Sequence, residues 1–344
     1  MNSKALGGWL AERLPLPDPV LRMAIASRVA TTRQRLLSLD AEDEDVRFAA
    51  AMMERPVAEF TATANRQHYE LPAAFFERVL GPRRKYSCCL NETGSESLAE
   101  AEERALAVSA ERAALADGQS ILELGCGWGS LSLWTAEHFP AARITAVSNS
   151  RLQREYIERQ AATRGLGNVR VITADMNAFA PDGRFDRIVS IEMFEHMGNW
   201  PQLLGRIAGW LVPDGRLFLH VFSHRAVPYR FDHTSGGDWI ARYFFTGGIM
   251  PSRGLIRRCD RDFVVEEEWR WSGIHYRHTA LDWLANFDSE IEALRPILAQ
   301  VYGRDAALWR RRWRLFFLAT AGLFGDNDGA EWGVSHYRLR PRVV

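Results

Sequence analysis

The chain has 344 residues, room for one large α/β domain plus an accessory part. Lys+Arg and Asp+Glu each number 43, so the net charge is zero, which excludes a nucleic-acid binder relying on bulk positive charge. No apolar run reaches the ~18 residues of a membrane span, the opening Met1-Asn2-Ser3-Lys4 lacks a signal-peptide core, and Cys88, Cys89, Cys126 and Cys259 form no C-x-x-C pair, so reduced thiols, a cytoplasmic location, no metal site and no membrane contact are expected.

Residues 1 to about 65 read as helical, with apolar residues at helical spacing over Arg22–Leu39 and Val46–Glu54. The acidic Asp40–Asp45 between them reads as a solvated loop. Pro72 suits a helix start and Gly81-Pro82 a stop. The segment Lys85-Tyr86-Ser87-Cys88-Cys89 then reads either as a lid over a ligand or as a loop packed on the core. Leu98–Ala116 is a polar-faced helix. Strands and helices then alternate: strand 120–124, helix 129–138, strand 143–147, helix 150–164, strand 169–174, strand 185–191, helix 200–211, strand 216–222. Short apolar runs between helices predict a mostly parallel sheet buried on both faces. From 226 to about 260 the pattern breaks, predicting an insertion over the sheet edge. Val264–Trp271 reads as a strand, Thr279–Val301 and Asp305–Phe324 as helices, and Trp332–Leu339 as a closing strand. The arginine run within Trp309–Arg314 reads as a solvated helix face. Most of the 12 tryptophans are expected in the core, with some free to line a pocket for a cation.

Ligands of such sheets sit at the carboxyl ends of the strands, and polar residues recur at those ends. Ile121–Gly129 is a strand running into a turn with glycine at alternate positions, 125, 127 and 129, followed by a helix whose N-terminus offers unpaired N–H groups. The third glycine comes one residue too early for a dinucleotide fingerprint, and the next strand ends in Ser148-Asn149-Ser150 with no acid, so NAD or FAD is disfavoured. The E-x-G-x-G-x-G pattern instead resembles the first motif of class I S-adenosylmethionine-dependent methyltransferases. Asp175 either accepts the adenine amino hydrogens, with Met176 packed on the ring, or caps a helix. Asn149 and Gln153, four apart at a helix start, suit ribose hydroxyls. Glu192, Glu195 and His196 together at a strand end are costly to bury without a task. They either support the turn as a local ion pair or orient an amine and take its proton, since an ammonium has no lone pair with which to attack.

These motifs, in the order His68–Pro72, Tyr86–Cys89, Glu123–Gly129, Asn149-Ser150-x-x-Gln153 and Glu192–Met197, resemble the cyclopropane-fatty-acid synthase superfamily of methyltransferases. The later segments Asp238–Gly248, Gly273–Tyr276 and Phe324–Trp332 look closer to plant coclaurine-type N-methyltransferases, although the arginine-rich, lysine-poor composition suggests a bacterial source. The resemblance implies a class I, Rossmann-like α/β fold with an N-terminal helical cap and lid segment (1–100) and a methyltransferase domain (101–344) carrying the insertion 226–260. It implies S-adenosylmethionine held by Tyr86, Ser87, Gly125, Gly127, Gly129, Asn149, Gln153, Asp175, Met176 and Ile191. The N-methyltransferase branch implies that Glu192, Glu195 and His196 handle the amine, with Glu70 facing the same pocket. The cyclopropane branch implies a bicarbonate base near Cys88, Glu195, His220 and Tyr276, with a smaller aliphatic residue where Phe222 stands. Trp332 joins Cys88, His220 and Tyr276 as a residue expected on the substrate side. The expected function is methyl transfer to a small-molecule amine. The alternatives are methylene transfer to unsaturated lipid acyl chains and a non-catalytic scaffold that binds the cofactor. The chain is compatible with a homodimer.

Overall fold

The computed structural model describes residues 12–14, 16–59, 71–232, 234 and 238–342. Its centre is a seven-stranded sheet in the order β3-β2-β1-β4-β5-β9-β8. The strands are β1 (Ser120–Leu124), β2 (Arg143–Ser148), β3 (Val169–Thr173), β4 (Phe185–Ile191), β5 (Leu211–His224), β8 (Phe263–Ser272) and β9 (Trp332–Pro341). The first five pair in parallel, and β9 runs antiparallel between β5 and β8. This is the expected mostly parallel α/β sheet. Strand order reverses between β1 and β4, so the crevice at their carboxyl ends is where a ligand belongs.

Helices α1 (Asp18–Leu37), α2 (Ala41–Met52), α3 (Ala73–Val79) and α4 (Leu98–Arg112) precede the sheet. Asp40–Asp45 is not a loop. Asp40 caps α2 by accepting from the N–H groups of Glu42 and Asp43, and acids in a first turn meet the positive end of the helix. Helices α5 (Ser130–His138), α6 (Arg151–Arg164) and α7 (Trp200–Trp210) cover the parallel strands. The insertion contains the two-residue strands β6 (Tyr229–Arg230) and β7 (Ile249–Met250), paired antiparallel, and the short α8 (Trp239–Tyr243). It packs over the carboxyl end of β5 rather than along the sheet edge: the Phe245 ring lies 5.6 Å from that of Phe222 and 4.5 Å from that of His196.

The predicted helix over 279–301 is two helices, α9 (Gly273–Ser289) and α10 (Ile291–Tyr302), because Ser272 caps the first so that it starts six residues early and Glu290 breaks the run. Helix α11 (Ala306–Phe324) carries the arginine run, which is not a solvated face. Arg312 is 8% exposed and pairs with Glu12 at 3.0 Å. Arg314 pairs with Asp18 and Asp288, at 2.9 and 2.6 Å. The run therefore clamps α1 onto α11. No described helix is long and apolar enough to cross a membrane, and no described cluster of His, Cys, Asp and Glu is arranged to hold a metal. All four cysteines are free and buried.

Candidate active site

The turn after β1 is built on left-handed backbone: Gly125 and Gly127 have φ of +80° and +53°. A Cβ at Gly125 would lie 2.6 Å from that of Met193, so this glycine lets the turn pack on the loop after β4. A Cβ at Gly127 would meet nothing within 4 Å. Here the bare backbone faces open space that a ligand can fill. Gly129 caps α5 against Ile157 and lines neither cavity described next.

Two cavities of about 80 and 70 Å³ share Gly125, Gly127, Gln153 and Glu192. The first is lined further by Asn149, Asp175, Met176 and His196, the second by Tyr86, Ser87, Glu123 and Ile191. The other predicted cofactor residues thus come to one slot, though not all as expected. Asn149 precedes α6 and its cap Ser150, so it lies outside the helix and shares the cavity wall with Gln153 rather than a helix face. Asp175 lines the cavity and also accepts from Asn177 N–H at 2.7 Å; the residues after it form a turn, so it caps no helix. Gln153 is fully buried. Its Oε1 accepts from Ser148 Oγ at 2.6 Å, while its Nε2 has no hydrogen-bond partner among the described residues. An orphaned buried donor and an empty glycine face fit a polar, hydroxyl-bearing cofactor such as S-adenosylmethionine.

Across the crevice, Glu192 follows β4 with φ +48°, left-handed backbone that a glutamate adopts only under constraint. Its Oε1 accepts from Cys88 N–H at 2.9 Å and lies 3.3 Å from His220 Nε2, and its Oε2 accepts from Tyr276 O–H at 2.7 Å. Burial raises the Glu192 pKa, opposed by the nearby Lys85 charge and by these donors. Glu195 is also fully buried. Its Oε1 accepts from Phe222 N–H at 2.6 Å, and its Oε2 has no partner among the described residues. Burial and then the Glu192 charge push Glu195 well above the usual carboxylate range. Two like carboxylates at one site do not both ionise readily, and the donors from Cys88 and Tyr276 favour the charge on Glu192 over that on Glu195.

The structure corrects one grouping. Cys88, His220 and Tyr276 converge on Glu192, not on Glu195, which meets only the backbone of Phe222. Trp332 lines neither cavity; its indole N–H donates to Tyr229 Oη at 3.1 Å within the core. Glu70 lies outside the described residues.

Lys85 was missed as a site residue. It is 1% exposed, and its Nζ donates to Ser87 Oγ at 2.5 Å and Cys88 O at 2.6 Å. It places a compact positive charge beside Glu192. The signal was compositional: with Lys4 it is one of two lysines in the chain, and it follows Arg83 and Arg84. His336 and Arg112 also connect to this cluster, and no motif marks either of them.

The family model for mycolic acid cyclopropane synthetase matches residues 58–329. An (S)-coclaurine N-methyltransferase of Thalictrum flavum subsp. glaucum is 35% identical over 302 residues, covering 86% of this chain and 84% of that protein. The cyclopropane-fatty-acyl-phospholipid synthase of Escherichia coli K12 is 28% identical over 271 residues, covering 78% of this chain and 66% of that protein. The crystal structure of coclaurine N-methyltransferase bound to N-methylheliamine and S-adenosylhomocysteine superposes with a TM-score of 0.93 at 33% identity, covering 97% of this chain and 98% of that one. With the glycine turn, the orphaned Gln153 donor and the Glu192 cluster standing at the crevice of this sheet, the chain belongs to the mycolic acid cyclopropane synthetase family of S-adenosylmethionine-dependent methyltransferases.

Proposed function

We propose that this methyltransferase acts on the nitrogen of a small-molecule amine, of the benzylisoquinoline or simpler arylalkyl type. The observation that carries the reading is the seat of Glu192. Three donors, Cys88 N–H, His220 Nε2 and Tyr276 O–H, form an anion cradle, and the protein's own carboxylate fills it. The cyclopropane reading needs these groups to hold a bicarbonate base, and they are already engaged. A tethered carboxylate suits a cationic substrate, since it draws an ammonium into a buried site without a second anion. The kinship with a coclaurine N-methyltransferase over 86% of the chain supports the same reading.

S-adenosylmethionine, when bound, supplies an already activated methyl group, so the protein's work is positioning and proton handling. Gly127, Asn149, Gln153, Asp175 and Met176 would hold it along the glycine turn. Glu192 would stay ionised and orient the amine. Glu195, with its raised proton affinity and unpartnered Oε2, would take the amine's proton after releasing its own to solvent, so that one proton leaves for each one taken. His196, on the cavity wall against Phe245, would set the amine's direction of approach.

The test is a panel of primary, secondary and tertiary arylalkyl amines with S-adenosylmethionine, read by mass spectrometry, beside vesicles of unsaturated phospholipid with and without bicarbonate. Methylated amine from bicarbonate-free buffer is the expected result. Cyclopropanated acyl chains that require bicarbonate, with no methylated amine, would overturn the reading.

A further inference from the structure

His220 on β5 and His336 on β9 are directly paired across the antiparallel strands. His220 Nδ1 lies 2.9 Å from His336 Nε2, and His336 Nδ1 lies 2.8 Å from Nη1 of Arg112, the last residue of α4. At the other end, His220 Nε2 lies 3.3 Å from Glu192 Oε1. Both rings are fully buried. Arg112 is part-exposed, with its guanidinium 5.2 and 5.7 Å from the rings of Trp269 and Trp271. It lines a cleft of about 710 Å³ that shares no residue with the two site cavities.

The chemistry of the end groups fixes every proton in this row. A guanidinium only donates, so His336 Nδ1 must accept. A neutral imidazole carries one ring proton, so His336 bears it on Nε2 and donates to His220 Nδ1. His220 is then left with its proton on Nε2, aimed at Glu192. The charges facing the rings are Arg112 from α4, Lys85 from the segment before Cys88, and Glu192 from the turn after β4. Burial and the two cations hold both imidazoles neutral by pushing their pKa well below the usual histidine value. Arg112 accepts no proton, so the row is no exit for one. It can only present an N–H inward.

We propose that Arg112 and His336 are positioning residues of the methyl-transfer site: the guanidinium sets the tautomer of both imidazoles, and the inner one thereby presents a permanent N–H to Glu192. The tautomer assignment stands without the amine reading; only its kinetic consequence rests on it.

The experiment has two arms. In the first, the unliganded protein labelled with [15N]histidine is examined by NMR, the two rings being assigned by the loss of signals in His220→Gln and His336→Gln. Both rings should show a protonated Nε2 and a bare Nδ1. In Arg112→Met, His336 should move toward the Nδ1–H form, and Arg112→Lys, which keeps a donor, should restore it. A wild-type His220 with a bare Nε2, or rings unmoved in Arg112→Met, would overturn the proposal. In the second arm, Arg112→Met should lower kcat for a methylated amine about three- to tenfold, as expected for loss of one oriented donor to a carboxylate. It should leave KM for S-adenosylmethionine unchanged and move the acid limb of the pH–rate profile upward, because a donor lost from the charged form raises its pKa. A merely structural role would lower the melting temperature and leave the limb in place, and that result would overturn the coupling to the site. If no amine is turned over, the amine reading fails while the first arm still decides the tautomers.

Discussion

Glu123 and Glu192 are two buried carboxylates at neighbouring strands of one sheet, and they are wired in opposite ways. Glu123, inside β1, meets Ser132, nine residues on, at the start of the next helix. It can form as soon as that strand and helix come together, and with this single side-chain donor burial pushes its pKa up to about 7. Glu192 is held by groups 104, 28 and 84 positions away, on left-handed backbone. Its geometry exists only when the whole sheet and α9 have closed. The contrast separates a carboxylate that belongs to the strand–turn–helix unit from one whose setting is assembled by tertiary structure, and the proposed chemistry goes with the second.

The largest expected effect falls on Glu195, which shares none of the donors of Glu192 but whose charge is tied to it. Glu195→Gln should lower kcat by about 10²–10⁴-fold, the usual contribution of a positioned acid–base group, with S-adenosylmethionine affinity by calorimetry little changed. For a substrate that arrives as an ammonium, the defect should shrink at high pH. Equal losses of binding and turnover would break the division between the two regions. Glu123 should show itself in stability instead. Its folded pKa of about 7 lies above its ordinary 4.5, so its stabilising contribution is complete below pH 4.5 and lost as pH rises through 7. Denaturant melts of the unliganded Glu123→Gln protein should gain on wild type by roughly 3 kcal/mol between pH 4.5 and 8, at about 1.36 kcal/mol per pKa unit. A difference that does not vary with pH would mean that Glu123 is as well solvated as any surface acid.

Tyr276→Phe keeps the stacking on Phe324, whose ring is 4.3 Å away, and removes only the donor to Glu192. A hydrogen bond to a charged group contributes about 2 kcal/mol, so kcat/KM for the amine should fall roughly thirtyfold and its acid limb should move upward. Asp175→Asn would act at the proposed cofactor end of the slot, and keeps an oxygen for the Asn177 N–H. It should weaken S-adenosylmethionine binding about fivefold, near 1 kcal/mol, with kcat unchanged.

The same contrast explains what was legible in the sequence. The alternation of β1 to β4 with their helices and the glycine turn are local patterns, and a period or a spacing reports them. Glu192, Glu195 and His196 were legible as costly polar residues at a strand end. Which donors meet which carboxylate was not, because Cys88, His220 and Tyr276 reach Glu192 from separate elements. His336 was invisible for the same reason: it lies 116 positions from its ring partner and reads as any strand residue. Asp40–Asp45 and the arginine run fail differently. A cluster of like charges resembles a solvated surface until its cap or its partner is known, and Glu12 is 300 positions from Arg312.

That clamp between the two ends of the chain sets a clock on biosynthesis. Helix α1 carries buried Leu21, Val29 and Leu36 and docks on α11, yet the partner of Glu12 is 300 residues away. At a ribosomal pace of about 5–20 residues per second, α1 waits roughly 15 to 60 seconds for the helix that covers it. During that interval its apolar stripe is open to any chaperone that holds nascent chains.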